Sequence, residues 1–225
     1  MAENIENTGK NTELGVKTRL LDVGEAVFAE KGFDGVSVRQ LTTAAGCNLA
    51  AINYYFGGKH ELYGEVIRRL IYHVRDIRIA MVSEVIESRG DELTLEELLM
   101  AFSSAFVEPL VGDNRGRRFF KIISWEMLRP VISKKVFVEE MIKPVVAQMA
   151  EALINLLPSL SNKKVILCIE SLVGQLMHTI HINQAFKEGT LEGFFVKDMN
   201  LMVNHIVKFT AVGIRACAAE SNDEK

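Results

Sequence analysis

Cysteine is scarce and scattered. The 225 residues hold three, Cys47, Cys168 and Cys217. They make no CxxC pair and no even framework, which excludes a disulfide scaffold and a zinc module. With four prolines and 16 glycines there is no tract of collagen or linker character. Neither sign of charge dominates: 26 Lys and Arg stand against 29 Asp and Glu, a formal −3. That balance excludes a polybasic coat or histone-like chain, but leaves room for a locally matched nucleic-acid site. The longest stretch without Asp, Glu, Lys or Arg is Gln40–Gly58, 19 residues. It carries Gln40, Thr42, Thr43, Asn48, Asn53 and three glycines, so inserting it in a bilayer would be costly. No membrane span or leader is expected, and the chain reads as cytoplasmic. Residues 1–13 are polar and acidic. They and 219–225 are expected to be disordered tails.

What is present is a helical chain. Hydrophobic residues make up 48%, enough to bury a core. A mean hydropathy of +0.14 points to extra apolar surface for a partner chain or a ligand. Few segments alternate with period two, while apolar residues recur at helical spacing almost throughout. Leu20, Val23, Gly24, Val27 and Phe28 form one stripe, ending at Gly32. Ser37 reads as an N-cap, with Gln40 completing a capping box. Gly46 stops that short helix. Asn48 is expected to cap the next, whose inner face is Ile52 and Phe56. Lys59 opens a long amphipathic helix. Beyond Gly90 the helices lengthen. Pro130 breaks the chain, Ser133 caps a segment, and Pro144 must kink or restart it. The fold class is all-α, about nine helices. A head over 14–74, with a helix-turn-helix near 37–56, precedes a body over 75–220.

The head carries a mechanism. Two short helices joined by a glycine turn, with a third before them, describe a helix-turn-helix. The second short helix presents Leu49, Ala50, Asn53 and Tyr54 outward. Small residues allow close approach, an amide can pair with adenine, and apolar groups suit thymine methyls. The uncharged run then has a reason, since carboxylates there would be repelled by phosphates. Arg39 and Lys59 flank it, Lys59 at a helix start where backbone N–H groups attract an anion. A plain three-helix bundle would satisfy the same pattern.

The words LLDVGEAVFAEKGFDGVSVRQLTTAAGCNLAAINYYFGGKHELY make Thr18–Leu70, about a quarter of the chain, resemble the DNA-binding head of TetR-type transcriptional regulators. The resemblance implies an all-helical homodimer that binds a palindromic double-stranded DNA operator and is released by a small effector. By position, Arg39, Ala50, Asn53 and Tyr54 would face the groove. Ser37, Tyr55 and Lys59 would hold phosphates. Many members have Lys or Gln at Leu49 and Tyr at Asn53, so this groove surface is less basic. AAINYYFGGK, FFKIISWEMLRP and SLVGQ resemble the CecR-like branch, which has its own C-terminal domain.

In the body, the stretch 163–187 is apolar on more than one face and needs two neighbours. The final helix repeats Phe195, Met199, Met202, Ile206 and Phe209 at seam spacing. With Ile169, Leu172 and Leu176 these are the expected dimer face, on the order of 1,500 Å² of buried surface. Phe102, Phe106, Phe119, Trp125, Met177 and His178 are the candidate lining of a pocket for a small, partly hydrophobic effector. A wholly internal stripe is the alternative in both cases. His178 and His181 have metal-ligand spacing, but no third ligand sits at motif distance, so no metal or cofactor is expected. There is no GxSxG elbow, HExxH, P-loop or dinucleotide fingerprint, so the chain does not read as an enzyme. A metal- or redox-sensing regulator, and a helical protein–protein adaptor that has lost DNA binding, stay open.

Overall fold

Apolar residues at helical spacing, punctuated by glycine and proline, give a helical chain with no strand among the described residues. The computed structural model describes residues 3–112, 114–185 and 198–220. The helices are α1 Glu3–Lys31, α2 Val38–Ala44, α3 Ala51–Phe56, α4 Lys59–Arg89, α5 Leu95–Gly112, α6 Asn114–Leu128, α7 Lys134–Phe137, α8 Lys143–Leu156, α9 Asn162–Ala185 and α10 Met199–Ala219. A π-turn over Val138–Ile142 joins α7 to α8, and Pro144 stands in the first turn of α8. Its missing N–H and its ring disrupt the regular ladder at that point. Counted as one interrupted helix, α7 and α8 bring the total among the described residues to nine. Helix α1 already runs through 3–13, where the sequence points to a disordered tail. Residues 221–225 of the other tail lie outside the described residues.

The chain forms two compact units, Met1–Val74 with Gly112–Glu140, and Arg75–Val111 with Met141–Lys225. Residues 112–140 thus group with the head, although the sequence places them in the body. In the first unit Leu20, Phe28, Leu41, Ile52, Leu62 and Tyr63 are buried. α1 and α4 approach closely at Gly24, where an added Cβ would lie 2.8 Å from Val66 Cγ2. α6 packs along α1. Their seam holds a buried charge, Glu25, 1% exposed, with Arg69, Arg115 and Arg118 at 3.3, 3.2 and 3.5 Å. At the end of α1, Gly32 adopts φ +67, and the Trp125 ring lies on it, 3.2 Å from where a Cβ would stand. The indole N–H donates to Ala29 O at 3.3 Å.

In the second unit α9 packs against both α8 and α10. Gln148 Nε2 ties α8 to α4, donating to Ile79 O at 3.1 Å and Ser83 Oγ at 2.8 Å. α9 (over Asn162–Ile182) and α10 are long and apolar enough to cross a membrane by length and composition. α9 packs on both α8 and α10, and about a third of each stretch is buried. The expected dimer stripe needs correction here. Ile169, Leu172, Leu176 and Ile206 are buried within the chain itself. Met199 and Met202 are half-buried. Phe195 lies outside the described residues. Among the described residues, the large apolar groups that α9 and α10 leave open are Ile166, Leu167, Leu201, Phe209 and Val212. Both faces of α9 are apolar, so periodicity alone could not say which one turns inward.

Candidate nucleic-acid interface

The reading surface is built on local signals. Ser37 caps α2: its Oγ accepts from Gln40 N–H at 3.2 Å, while Gln40 Oε1 accepts from Ser37 N–H at 2.8 Å. Leu41 is buried beneath. Thr42, also buried, donates its hydroxyl to Val38 O at 3.1 Å, so its burial leaves no orphan group. Gly46 turns the chain at φ +61. The α2 end is held from α1 by Arg19 Nε, which donates to Ala45 O at 3.1 Å. α3 then begins at Ala51 with Ala50 as its N-cap and no side-chain cap. The expected cap, Asn48, contributes only its carbonyl, accepting from Ala51 N–H at 3.2 Å. Leu49 and Ala50 therefore belong to the turn before α3, and Asn53 and Tyr54 to the helix.

Ala51 and Ile52 anchor α3. On its other side Asn53 and Tyr54 stand in solvent, and Leu49 beside them is 60% exposed. Tyr54 and Tyr55 meet edge to face at 4.9 Å, which stiffens both rings. Ala50 and Arg39 are exposed as well. Gly57 at φ +87 ends α3. Lys59, half-buried at the start of α4, holds its ammonium 4.0 Å over the Phe33 ring. Burial lowers its pKa, and nearby Asp34 acts in the opposite direction. Lys17 reaches over the Phe56 ring at 5.6 Å. All eight predicted contact residues thus lie between α2 and the first residue of α4. Ser37 differs from the rest, because its hydroxyl is committed to the cap. Sequence reasoning missed Lys17 and Arg19, which hold the turn from behind. The available signal was their place just before the apolar stripe that begins at Leu20, Lys17 three residues and Arg19 one residue ahead.

The candidate pocket residues divide. Phe119 and Trp125 belong to the first unit; Phe102, Phe106, Met177 and His178 to the second. Phe119 stacks on Phe137 at 6.4 Å. Trp125 lines a cleft of 590 Å³ with Phe33, Tyr63 and Arg129. Phe102 and Phe106 lie 6.1 Å apart on α5. His178 is exposed, not turned inward. His181 Nδ1 lies 2.8 Å from Met177 O. Among the described residues no group of three or more His, Cys, Asp or Glu could hold a metal ion. Burial raises the Cys47 thiol pKa. Cys168 is pushed up to about 11, first by burial and then by the adjacent Cys217. These thiols are protonated at neutral pH and poor nucleophiles.

A family model described as bacterial regulatory proteins of the tetR family matches residues 20–66. One described as a tetracyclin repressor-like C-terminal domain matches 100–213. The chain is 29% identical over 94 residues to the HTH-type transcriptional repressor KstR2 of Rhodococcus jostii, covering 42% of this chain and 43% of that protein. It is 26% identical over 132 residues to the HTH-type transcriptional dual regulator CecR of Shigella flexneri, covering 57% and 58%. The matches span less than two thirds of either relative. Among solved structures, a protein assigned to the TetR family in Mesorhizobium loti superposes with a TM-score of 0.64 at 18% identity. That superposition covers 91% of this chain and 96% of the other.

Proposed function

Because the chain belongs to the TetR family of bacterial regulatory proteins, which are DNA-binding transcriptional regulators and not enzymes, we propose that it is a ligand-responsive repressor acting in the cytoplasm. The observation that carries this reading is the uncharged, exposed surface of Leu49, Ala50, Asn53 and Tyr54, flanked by Arg39 and Lys59. Residues 14–74 read the DNA, and 75–220 dimerise and receive a small, partly hydrophobic effector. A palindromic operator needs two heads about one DNA turn apart, roughly 34–36 Å. The dimer face is formed by the exposed apolar groups of α9 and α10, among them Ile166, Leu167, Leu201, Phe209 and Val212, which stand open on this chain. An effector that binds better to a form with displaced heads moves the population away from DNA. No comparable observation favours metal or redox sensing.

Footprinting on the DNA upstream of the protein's own gene tests the reading. The expected result is a two-fold symmetric protected site with half-sites one turn apart. Equal affinity for every fragment would instead support an adaptor that has lost operator recognition.

A further inference from the structure

Among the described residues, the second unit buries a cation with no anion beside it. Arg78 is 6% exposed. It falls in the α4 stripe Ile67, Ile71, Val74, Arg78, Val82, whose other members are all buried and apolar. Its guanidinium carbon lies 3.8 Å from the centre of the Phe106 ring. One terminal N–H donates to Phe106 O at 3.5 Å, the outer limit of a hydrogen bond. Nε has no partner. On α5, three residues before Phe106 and so on the same helix face, Ser103 is fully buried and its Oγ is also without a partner. The contrast with Glu25 is instructive. That buried carboxylate has three arginines within 3.5 Å, whereas no ion pair reaches Arg78 among the described residues. Burial brings the Arg78 pKa down to about 9, so the group is still charged at neutral pH. Buried charges are otherwise kept where a counter-charge and hydrogen bonds compensate them.

We propose that Arg78 and Ser103 form the anion-recognising end of the effector site, and that the effector is a monocarboxylate with an apolar body. The proposal rests on the effector-responsive reading above. The edge made by Nε and its neighbouring terminal nitrogen is the fork that a carboxylate engages with two parallel hydrogen bonds. Of that edge Nε is without a partner, and the terminal nitrogen spends one of its two N–H groups on Phe106 O, which leaves the other. The Ser103 hydroxyl supplies a third donor. One guanidinium balances one negative charge, which favours a monoanion over a phosphate dianion. Phe102 and Phe106 on the same side of α5 give the apolar part a matching wall.

Calorimetric titration of the full-length protein with two matched pairs tests this: octanoate against octan-1-ol, and 4-phenylbutyrate against 4-phenylbutan-1-ol. At least one acid is expected to bind about tenfold or more tighter than its alcohol. Arg78→Met should abolish that preference and leave the unliganded melting temperature unchanged or raised, because an apolar side chain of similar length removes an uncompensated charge. A purely structural arginine would lower it. Ser103→Ala, the milder variant, should weaken the acid roughly threefold to tenfold and leave the alcohol unaffected. Equal binding of acid and alcohol, no binding of either acid, or an acid preference that survives both variants overturns the proposal. Operator affinity measured in parallel separates the two ideas. Acids that bind through Arg78 without weakening operator binding leave this inference standing and remove the effector-release reading. Alcohols that alone bind and release DNA do the reverse.

Discussion

Ser37 and Asn53 sit on the same exposed surface and do different work. The Ser37 hydroxyl accepts from Gln40 N–H and so completes α2. Ser37→Ala should lower stability by about 1 kcal/mol in urea unfolding, the usual worth of such a cap. Its effect on DNA affinity should follow from that loss alone. Asn53 touches no core, and its replacement by alanine should leave the unfolding midpoint unchanged. On the best operator Asn53→Ala should cost roughly 1–3 kcal/mol and relax preference at one base pair per half-site. Fluorescence anisotropy on operator and scrambled DNA checks both statements. Lys59 combines the two roles. Its ammonium rests over Phe33, so Lys59→Ala should lower the salt slope by about one phosphate contact and also destabilise the head by about 0.5–1 kcal/mol. A variant that binds scrambled DNA and operator as tightly as the parent at both low and high salt would remove Lys59 from the interface.

Helix α1 is joined to α6 through Glu25. Three arginines from α4 and α6 converge on this one carboxylate. Removing the carboxylate leaves three partly exposed arginines without their shared counter-charge, two of them still beside Asp22, so Glu25→Ala should cost about 1–3 kcal/mol in urea unfolding. A loss under about 1 kcal/mol would mean that the cluster is solvated. Elements with local signals were legible from sequence: the Ser37–Gln40 box, the Gly32 and Gly46 stops, and the proline that restarts α8. The start of α3 was not, because its N-cap is Ala50, which has no side chain to announce it, and Asn48 lies nearby as a stronger-looking signal. The grouping of α6 with the head was also hidden. It depends on a buried carboxylate and three arginines that are 44 to 93 residues away in sequence, and no periodicity links them. Arg78 occupies a core register in α4, between the buried Val74 and Val82.

At the scale of the molecule, the open apolar groups of α9 and α10 separate assembly from folding. Phe209 and Val212 are 66% and 68% exposed, while Ile206 beside them is buried. Phe209→Glu with Val212→Glu should give monomers in sedimentation equilibrium with helicity intact. Ile206→Glu should instead lower the melting temperature sharply, because it puts a charge into the chain's own core. If the double variant still sediments as a dimer, the contact lies elsewhere. The helix-turn-helix was almost wholly legible from sequence, since its cap and turns follow from short-range spacing. The proposed dimer face was legible only as a pair of helices, because choosing a face requires knowing what α8 already covers.

The chain has one tryptophan, and that residue is seated on Gly32. Its emission therefore reports on the α1–α6 seam. Far-ultraviolet circular dichroism averages over every helix. Recording both signals along one urea titration makes the chain its own test of cooperativity. Coincident curves mean that the two units unfold as one, and displaced curves mean that the head has a stability of its own.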